Sequence, residues 1–315
     1  TVEGQLFFNS TTNTFKETVF DVPAGTYAAG GSLNTARGYH GGAGLQTAGI
    51  VFGGTDGTTR AFTESYDGSS WTEVNDLNTA RANVSGFGTS TAAIAANGST
   101  PTKAETESWN GSSWTEIAEL NTYRSDSAAS GASQTSGMVA TGTPVPGNPA
   151  FQTGGTSTVT EIWDGSSWTE VGDTNTKRLQ SGMSVNGPTT NSIIASGENG
   201  PGSVTVNAES WDGSSWTEVN NVNTARGSLY NFGGTGSQAI MAGGYTPSPA
   251  ARVAISELWN GTSWTEGNDM STGRNAGYGL GVGTASMHCG GITPPYTNAV
   301  EEYTAPLANK TITAS

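Results

Sequence analysis

The chain has 315 residues, of which 12% are charged and 33% apolar, with 46 glycines, 12 prolines and a net charge of −14. That is the composition of many short strands joined by tight turns, and no Ala-, Leu-, Glu- and Lys-rich run at helical period competes with it. The 12 basic residues and the acidity exclude a nucleic-acid or anionic-membrane surface; no run approaches the roughly 20 apolar residues of a spanning helix; and a lone Cys289 excludes an internal disulfide or a cysteine-built zinc site.

Residues 1–26 contain GQLFFN and NTFKETVF, two strand-like runs that predict a hairpin, an attachment arm or an additional outer strand. From residue 27 to 315 the chain repeats. Five segments begin at Glu64, Glu107, Glu161, Glu209 and Glu257 and read ESYDGSSWTEVNDLNTAR or close variants, ending at Arg81, Arg124, Arg178, Arg226 and Arg274. In each, a first aromatic (Tyr66, Trp109, Trp163, Trp211, Trp259) precedes a second (Trp71, Trp114, Trp168, Trp216, Trp264) by five residues. The second precedes the Arg by ten, and all nine tryptophans occupy these slots.

The ends complete a sixth unit. Arg37 has Tyr27 ten residues upstream in the second aromatic slot, while Glu301 and Tyr303 supply the first part of the segment near the C-terminus. Joining the termini closes a ring and removes the free sheet edges of an open array. Successive arginines are 44, 43, 54, 48 and 48 residues apart, enough for four strands of about six residues with their turns. The expected architecture is all-β: a six-bladed propeller with four antiparallel strands per blade and a last blade built from both termini. In the first unit, strand a is read at 38–45, b at 49–54, c at 62–66 and d at 71–74, with Asp67-Gly68 turning c into d. Small residues in strand a suit the crowded axis, and the paired aromatics fill the diverging outer gap.

The glycine pair Gly53-Gly54, then Glu64, Tyr66, Trp71 and Arg81, resembles the kelch motif over residues 27–315. The pair becomes Asn97-Gly98 in the second unit and slides by a residue or two in the third to fifth. The wording of the repeats, with the opening EGQLFFNSTTNTFKE, is similar to segments of tailed-bacteriophage virion proteins, especially fibres and appendages. These resemblances imply a virion or extracellular setting, other virion proteins as partners, and a host-surface glycan or receptor as target.

Arg37, Arg81, Arg124, Arg178, Arg226 and Arg274 could line one face as an anion site. A Glu stands in register in every unit (Glu64, Glu107, Glu161, Glu209, Glu257, Glu301), and a guanidinium pairs well with a carboxylate, so a structural ring is the better expectation. Copper oxidases of the kelch type need His, Tyr and Cys ligands. His40 and His288 are the only histidines; they fall on neighbouring blades with no evident third ligand, so no metal and no cofactor is expected. Asp56, Asp126 and Glu198 stand outside the repeated pattern. None has a recognisable acid partner for glycoside hydrolysis, and no enzyme activity is expected. The sequons Asn110-Gly111-Ser112 and Asn260-Gly261-Thr262 follow from turn composition.

Between strands b and c the units diverge, and nine of the 12 prolines lie there. Proline lowers the entropy lost in ordering a loop, which suits a preformed binding face. The candidate contact residues on these loops are Arg60, Lys103, Phe151, Tyr245, Arg252 and Tyr296. Recognition of a host glycan or protein through this face is the first functional expectation, a structural spacer or docking hub in a particle the second, and a polysaccharide-acting enzyme the third.

Overall fold

The computed structural model describes residues 4–12, 14–20, 24–99, 104–144 and 155–311. Six antiparallel four-stranded sheets form the blades of a propeller, as the period predicts. Blade 1 comprises Gly41–Leu45, Ala48–Phe52, Thr63–Tyr66 and Trp71–Val74. Blade 2 comprises Ser85–Thr89, Ala92–Ala96, Thr106–Trp109 and Trp114–Ile117. Blade 3 runs through Ala128–Ser133, Ser136–Ala140, Thr160–Trp163 and Trp168–Glu170. In blade 4 the strands are Gly182–Met183, Ser192–Ala195, Ala208–Trp211 and Trp216–Val219. Those of blade 5 are Gly233–Gly234, Ala239–Ala242, Ser256–Trp259 and Trp264–Glu266.

Blade 6 is the seam. Its first three strands, Tyr278–Val282, Ala285–Cys289 and Val300–Thr304, come from the C-terminal part of the chain. Thr26–Ala29 from the N-terminal part pairs on the third with Tyr27 opposite Tyr303, so the aromatic pairing of the other blades is rebuilt across the termini. Leu307–Thr311 takes a different partner: it pairs with Thr14–Phe20, which also forms a hairpin with Leu6–Asn9. The N-terminal segment therefore makes a separate three-stranded sheet with the end of the chain.

The c-to-d turn shows how local chemistry sets register. The first and second aromatics face each other across the strand pair, Trp109 opposite Trp114, leaving a four-residue loop. Asn110 Oδ1 accepts the backbone N–H of Ser112 and Ser113, both at 2.9 Å, a side-chain mimic of a backbone turn. Gly111 supplies φ +91°, which costs a residue without Cβ nothing. The Asp67, Asp164 and Asp212 carboxylates make the same bonds and are held down to about 2 by their backbone and seryl donors.

Packing runs between blades. Trp109 and Trp114 of blade 2 lie in one buried cluster with Ala43, Ile50 and Phe52 of blade 1, while Trp163 and Trp168 of blade 3 pack with Phe87 and Ile94 of blade 2. The second tryptophan reaches backwards: Trp114 Nε1 donates to Thr63 Oγ1 of blade 1 at 3.1 Å and its ring meets Phe52 edge-on at 4.9 Å. The first tryptophan closes its own blade, as Trp109 Nε1 does on the Ser90 carbonyl at 3.2 Å. Nearer the axis the backbones crowd. A Cβ on Gly86 would sit 2.4 Å from the Gly42 carbonyl oxygen of the preceding blade, so strand a must be small there.

Candidate functional site at the mouth of the ring

Each blade is fastened to the one before it by the same buried latch. Arg37 pairs with Glu64 at 2.5 Å, Arg81 with Glu107 at 3.0 Å, Arg124 with Glu161 at 3.0 Å, Arg226 with Glu257 at 3.0 Å and Arg274 with Glu301 at 2.9 Å; Arg178 pairs with Glu209 likewise. Each Arg lies in the connection entering a blade and each Glu on that blade's strand c. In the first five latches the second carboxylate oxygen takes the backbone N–H and side-chain amide of the Asn three residues before the Arg, as Asn121 does on Glu161 at 2.7 and 3.0 Å, and in the sixth it takes the backbone N–H of Ser271. Burial pushes the Arg124 guanidinium down from its ordinary pKa, and the Glu161 charge and hydrogen bond oppose that shift. The six guanidiniums are buried and thus unavailable as an anion-binding ring.

The glycine pair keeps one structural place in all six blades. Its first position has φ between 55° and 74° at Gly53, Asn97, Thr141, Ser196, Gly243 and Gly290. The slide read from the sequence is one of spacing: the pair begins 16 residues after the latch Arg in blades 1, 2 and 6 and 17, 18 and 17 residues after it in blades 3, 4 and 5, while Thr141 and Ser196 hold the same left-handed conformation as the glycines. The second position donates its N–H to the carbonyl of the next latch Arg, for example Gly54 to Arg81 and Gly142 to Arg178, both at 2.9 Å. This seats the start of every b-to-c loop against the next connection and gathers all the variable loops on one face.

Upon this constant frame stand two rings of residues that differ from blade to blade. The inner ring is the second residue after each latch Arg: Tyr39, Asn83, Asp126, Gln180, Ser228 and Ala276, all with φ between 50° and 57°. Backbone hydrogen bonds run from blade to blade through them, Tyr39 N–H to the Ala276 carbonyl, Asn83 to Tyr39, Gln180 to Asp126 and Ala276 to Ser228. A chain of direct contacts with one residue per blade places these positions beside the axis. The outer ring follows the glycine pair: Thr55, Ser99, Thr143, Glu198, Tyr245 and Ile292, each bridged to the residue just after a latch Arg.

The axis beneath is filled. Tyr230, ahead of strand a in blade 5, reaches Asp126 of blade 3 at 2.7 Å and Asn83 of blade 2 at 3.3 Å through its hydroxyl, and its ring meets Tyr39 edge-on at 5.5 Å. Tyr278 of blade 6 donates to the Gly86 carbonyl of blade 2 at 2.8 Å. Asn231 Nδ2 donates to the Ala129 carbonyl at 2.6 Å, and Asn186 Nδ2 to those of Gly44 and Gly281 at 3.2 and 2.7 Å. These bonds cross the ring and give the mouth a rigid polar floor.

Asp126 is the hub of that floor. One carboxylate oxygen accepts from Tyr230 and from Gln180 Nε2 at 3.1 Å; the other accepts from Ser125 at 2.8 Å and Thr143 at 3.4 Å. Gln180 Oε1 in turn accepts from Ser228 at 2.8 Å. The neighbouring acid is Glu198, whose pKa is raised by burial and then by the Asp126 charge. Two of the three unrepeated acids therefore act on one another at the mouth, where sequence reasoning assigned neither an acid partner. The third, Asp56, is occupied by Arg60, whose guanidinium holds its carboxyl below the usual range.

The predicted contact residues divide. Arg60 is turned to its own loop, 2.9 Å from Asp56 and over the Phe62 ring at 5.2 Å. Lys103 and Phe151 lie outside the described residues. Tyr245, Arg252 and Tyr296 come to one side of the mouth: Tyr245 and Arg252 face each other across a hairpin of Tyr245–Pro247 and Ala250–Arg252, Tyr296 bridges Ile292, and Arg252 Nε donates to Asn275 Oδ1 at 2.9 Å. Burial raises the Tyr39 phenol, with Tyr296 and Asp126 adding to the shift while Arg252 opposes it, so these groups share one electrostatic environment. The hairpins were read from sequence as irregular loops. Sequence reasoning missed the inner ring and Tyr230; the signal was Tyr230 and Tyr278 in the fourth place after the Arg, where the other units carry Gly41, Ser85, Ala128 and Gly182.

The histidines lie inside the ring. His40 Nε2 is 3.1 Å from the Cys289 carbonyl, and His288 Nε2 is buried without a hydrogen-bond partner. Among the described residues no group of three His, Cys, Asp or Glu side chains is placed to hold a metal ion. Burial first, then Arg37, holds His40 down to about 3, and burial holds His288 well below its ordinary value. Both fold as neutral imidazoles, whereas in the unfolded chain they take up protons near pH 6.5. Their folded pKa values being depressed, stability is fully present above pH 6.5 and falls as pH drops toward the folded values. Each histidine should remove about 2 kcal/mol between pH 7.5 and 5, and guanidinium melts of a His288→Gln variant should show about half the wild-type decline over that window.

No protein-family model and no curated protein matches the chain. Among solved structures it is similar to one titled "Structure of YjhT", with a TM-score of 0.70 at 12% identity, covering 89% of this chain and 99% of that one. The shared property is the fold. A six-bladed propeller is thus common to both, and at that identity the likeness speaks of the fold alone.

Proposed function

We propose that the protein is a non-enzymatic binding module that recognises a host-surface glycan or protein through its b-to-c loop face, in a virion or another extracellular particle. The observation that carries this reading is the partition of the repeat. The latch recurs in all six blades, the paired aromatics with their turn are nearly identical in five and the sixth rebuilds its pair as Tyr27 and Tyr303 across the termini, and the departures gather at one end, in two rings of equal backbone and unequal side chains. A ring needed only for its shape has no use for individualised residues there; one that recognises a ligand does. The virion setting is supported by the resemblance of the repeat wording to tail appendages. Retention of the chain on host cells tests the reading: replacing residues 145–154 by a Gly-Ser linker should leave the melting temperature unchanged while weakening adsorption. Unaltered adsorption after that change and after substitutions in both rings would overturn it.

A docking role in a particle has its own observation. Leu6, Phe8 and Phe15 of the terminal sheet are 64%, 51% and 60% exposed, with Phe8 and Phe15 in contact at 5.3 Å. Under the docking reading, Phe8→Ser with Phe15→Ser should abolish particle incorporation and leave host binding by the isolated chain intact.

A further inference from the structure

Resting on the binding-module reading, we infer that the mouth of the ring is a saccharide subsite for an uncharged pyranose unit, with Glu198 as its principal hydrogen-bond acceptor and Tyr39 as its stacking wall. Glu198 is the one charged residue of the outer ring. Its side chain lies over Gly227, where a Cβ would come 2.7 Å from Glu198 Cγ, so the next blade is bare at the place the carboxylate occupies. Among the described residues no side chain or backbone N–H donates to that carboxylate, although it is half-buried and next to Asp126. A part-buried carboxylate with no protein donor is free to accept from a ligand, and vicinal hydroxyls supply two donors.

The surroundings fit a sugar better than a charged ligand. Asp126 is satisfied by four donors and shapes the floor. Asn83 and Gln180 add amides on one half of the inner ring, whereas the part-buried Tyr39 sets an aromatic ring on the other. A pyranose has the same division, hydroxyls at its rim and C–H groups on its face, and tyrosine meets both with a ring and a polar tip. Phosphate or sulfate would face two carboxylates at the mouth, where Arg252 is held on Asn275 and Lys177 stands outward on the lining of the adjoining pocket. Outward from Glu198 a pocket of about 200 Å³ opens between the blade 3 and blade 4 loops, lined by Lys177, Leu179, Asn199 and Pro201. That is smaller than the roughly 300–1,000 Å³ typical of ligand clefts, and it leaves room for a second sugar unit of a chain.

The test uses the full chain on immobilised neutral polysaccharides (glucan, galactan and mannan) beside uronate- and sialate-bearing ones, with the best binder followed by calorimetry. The expected result is retention on a neutral polysaccharide, at least a tenfold loss of affinity for Glu198→Ala and for Tyr39→Ala, and no change for Arg60→Ala. Melting temperatures of the Glu198 variant and of wild type should agree, because the carboxylate supports no neighbour. Preference for the anionic set, or full binding by Glu198→Ala, would overturn the subsite. If no polysaccharide is retained but host-cell adsorption survives and is lost in the loop variants, the saccharide assignment fails and the binding-module reading stands.

Discussion

Replacing Glu161 by leucine should destabilise the ring by about 3–5 kcal/mol, the usual cost of removing one member of a buried ion pair, and should cost more than replacing Arg124 by methionine. The asymmetry follows from who else uses the carboxylate. Glu161 serves Arg124 at 3.0 Å, the Asn121 backbone and amide at 2.7 and 3.0 Å, and the Thr122 backbone at 3.2 Å. Its loss leaves a buried guanidinium unpaired and two backbone N–H groups without acceptors. Loss of Arg124 leaves a carboxylate that still has three N–H donors, and a carboxylate so solvated tolerates burial. Against a total stability of about 5–15 kcal/mol for a folded domain, either variant should lower the denaturant midpoint visibly. Equal losses in the two variants would mean that charge pairing, and not capping of the connection, dominates the latch. The double variant should remain destabilised, since the backbone donors stay orphaned whatever replaces the ion pair.

This latch explains why so much of the fold is legible in the chain. A feature that must be rebuilt at every blade interface appears six times at fixed spacing, so Glu107 and Arg124 announce themselves by recurrence, and the split of Tyr27 from Tyr303 declares the seam. What recognition requires is the opposite. Tyr39, Asn83, Asp126, Gln180, Ser228 and Ala276 share a backbone conformation and nothing else, and a search for sameness passes over them. Glu198 and Asp126 are 72 residues apart in the sequence, and only the closure of the ring brings their charges to bear on each other. Tyr230 was hidden for a related reason: strand a reads as a strand of small residues because four blades must be small there to receive the tyrosines of two. The glycine pair is harder to see where Thr141 and Ser196 stand in it, since a left-handed conformation is written most clearly by glycine and only occasionally by other residues.

The partition also separates stability from recognition, and the tryptophans give the sharpest test of it. Trp114→Ala should cost about 3–5 kcal/mol, the transfer energy of a large buried aromatic plus the cavity it leaves, with an added penalty because Thr63 Oγ1 loses its donor. Trp114→Phe keeps much of the apolar contact with Phe52 and gives up chiefly the indole hydrogen bond, so about 1 kcal/mol of its loss belongs to that bond. Trp71 supplies the comparison within the same molecule. It occupies the equivalent slot in blade 1 and is equally buried, at 6% against 5% for Trp114, but its Nε1 has no hydrogen-bond partner. Trp71→Phe should therefore be the milder of the two phenylalanine substitutions, and on removing an orphaned donor it has a gain to set against its lost area. Reversible unfolding of the four variants, Trp114→Ala, Trp114→Phe, Trp71→Ala and Trp71→Phe, measures the difference directly. Equal costs for the two phenylalanine variants would show that the second aromatic acts by volume alone and that the bond to the preceding blade adds nothing to closure. Trp114 packs in a cluster that holds no residue of either ring at the mouth, so ligand binding below the melting transition should be unchanged in its two variants.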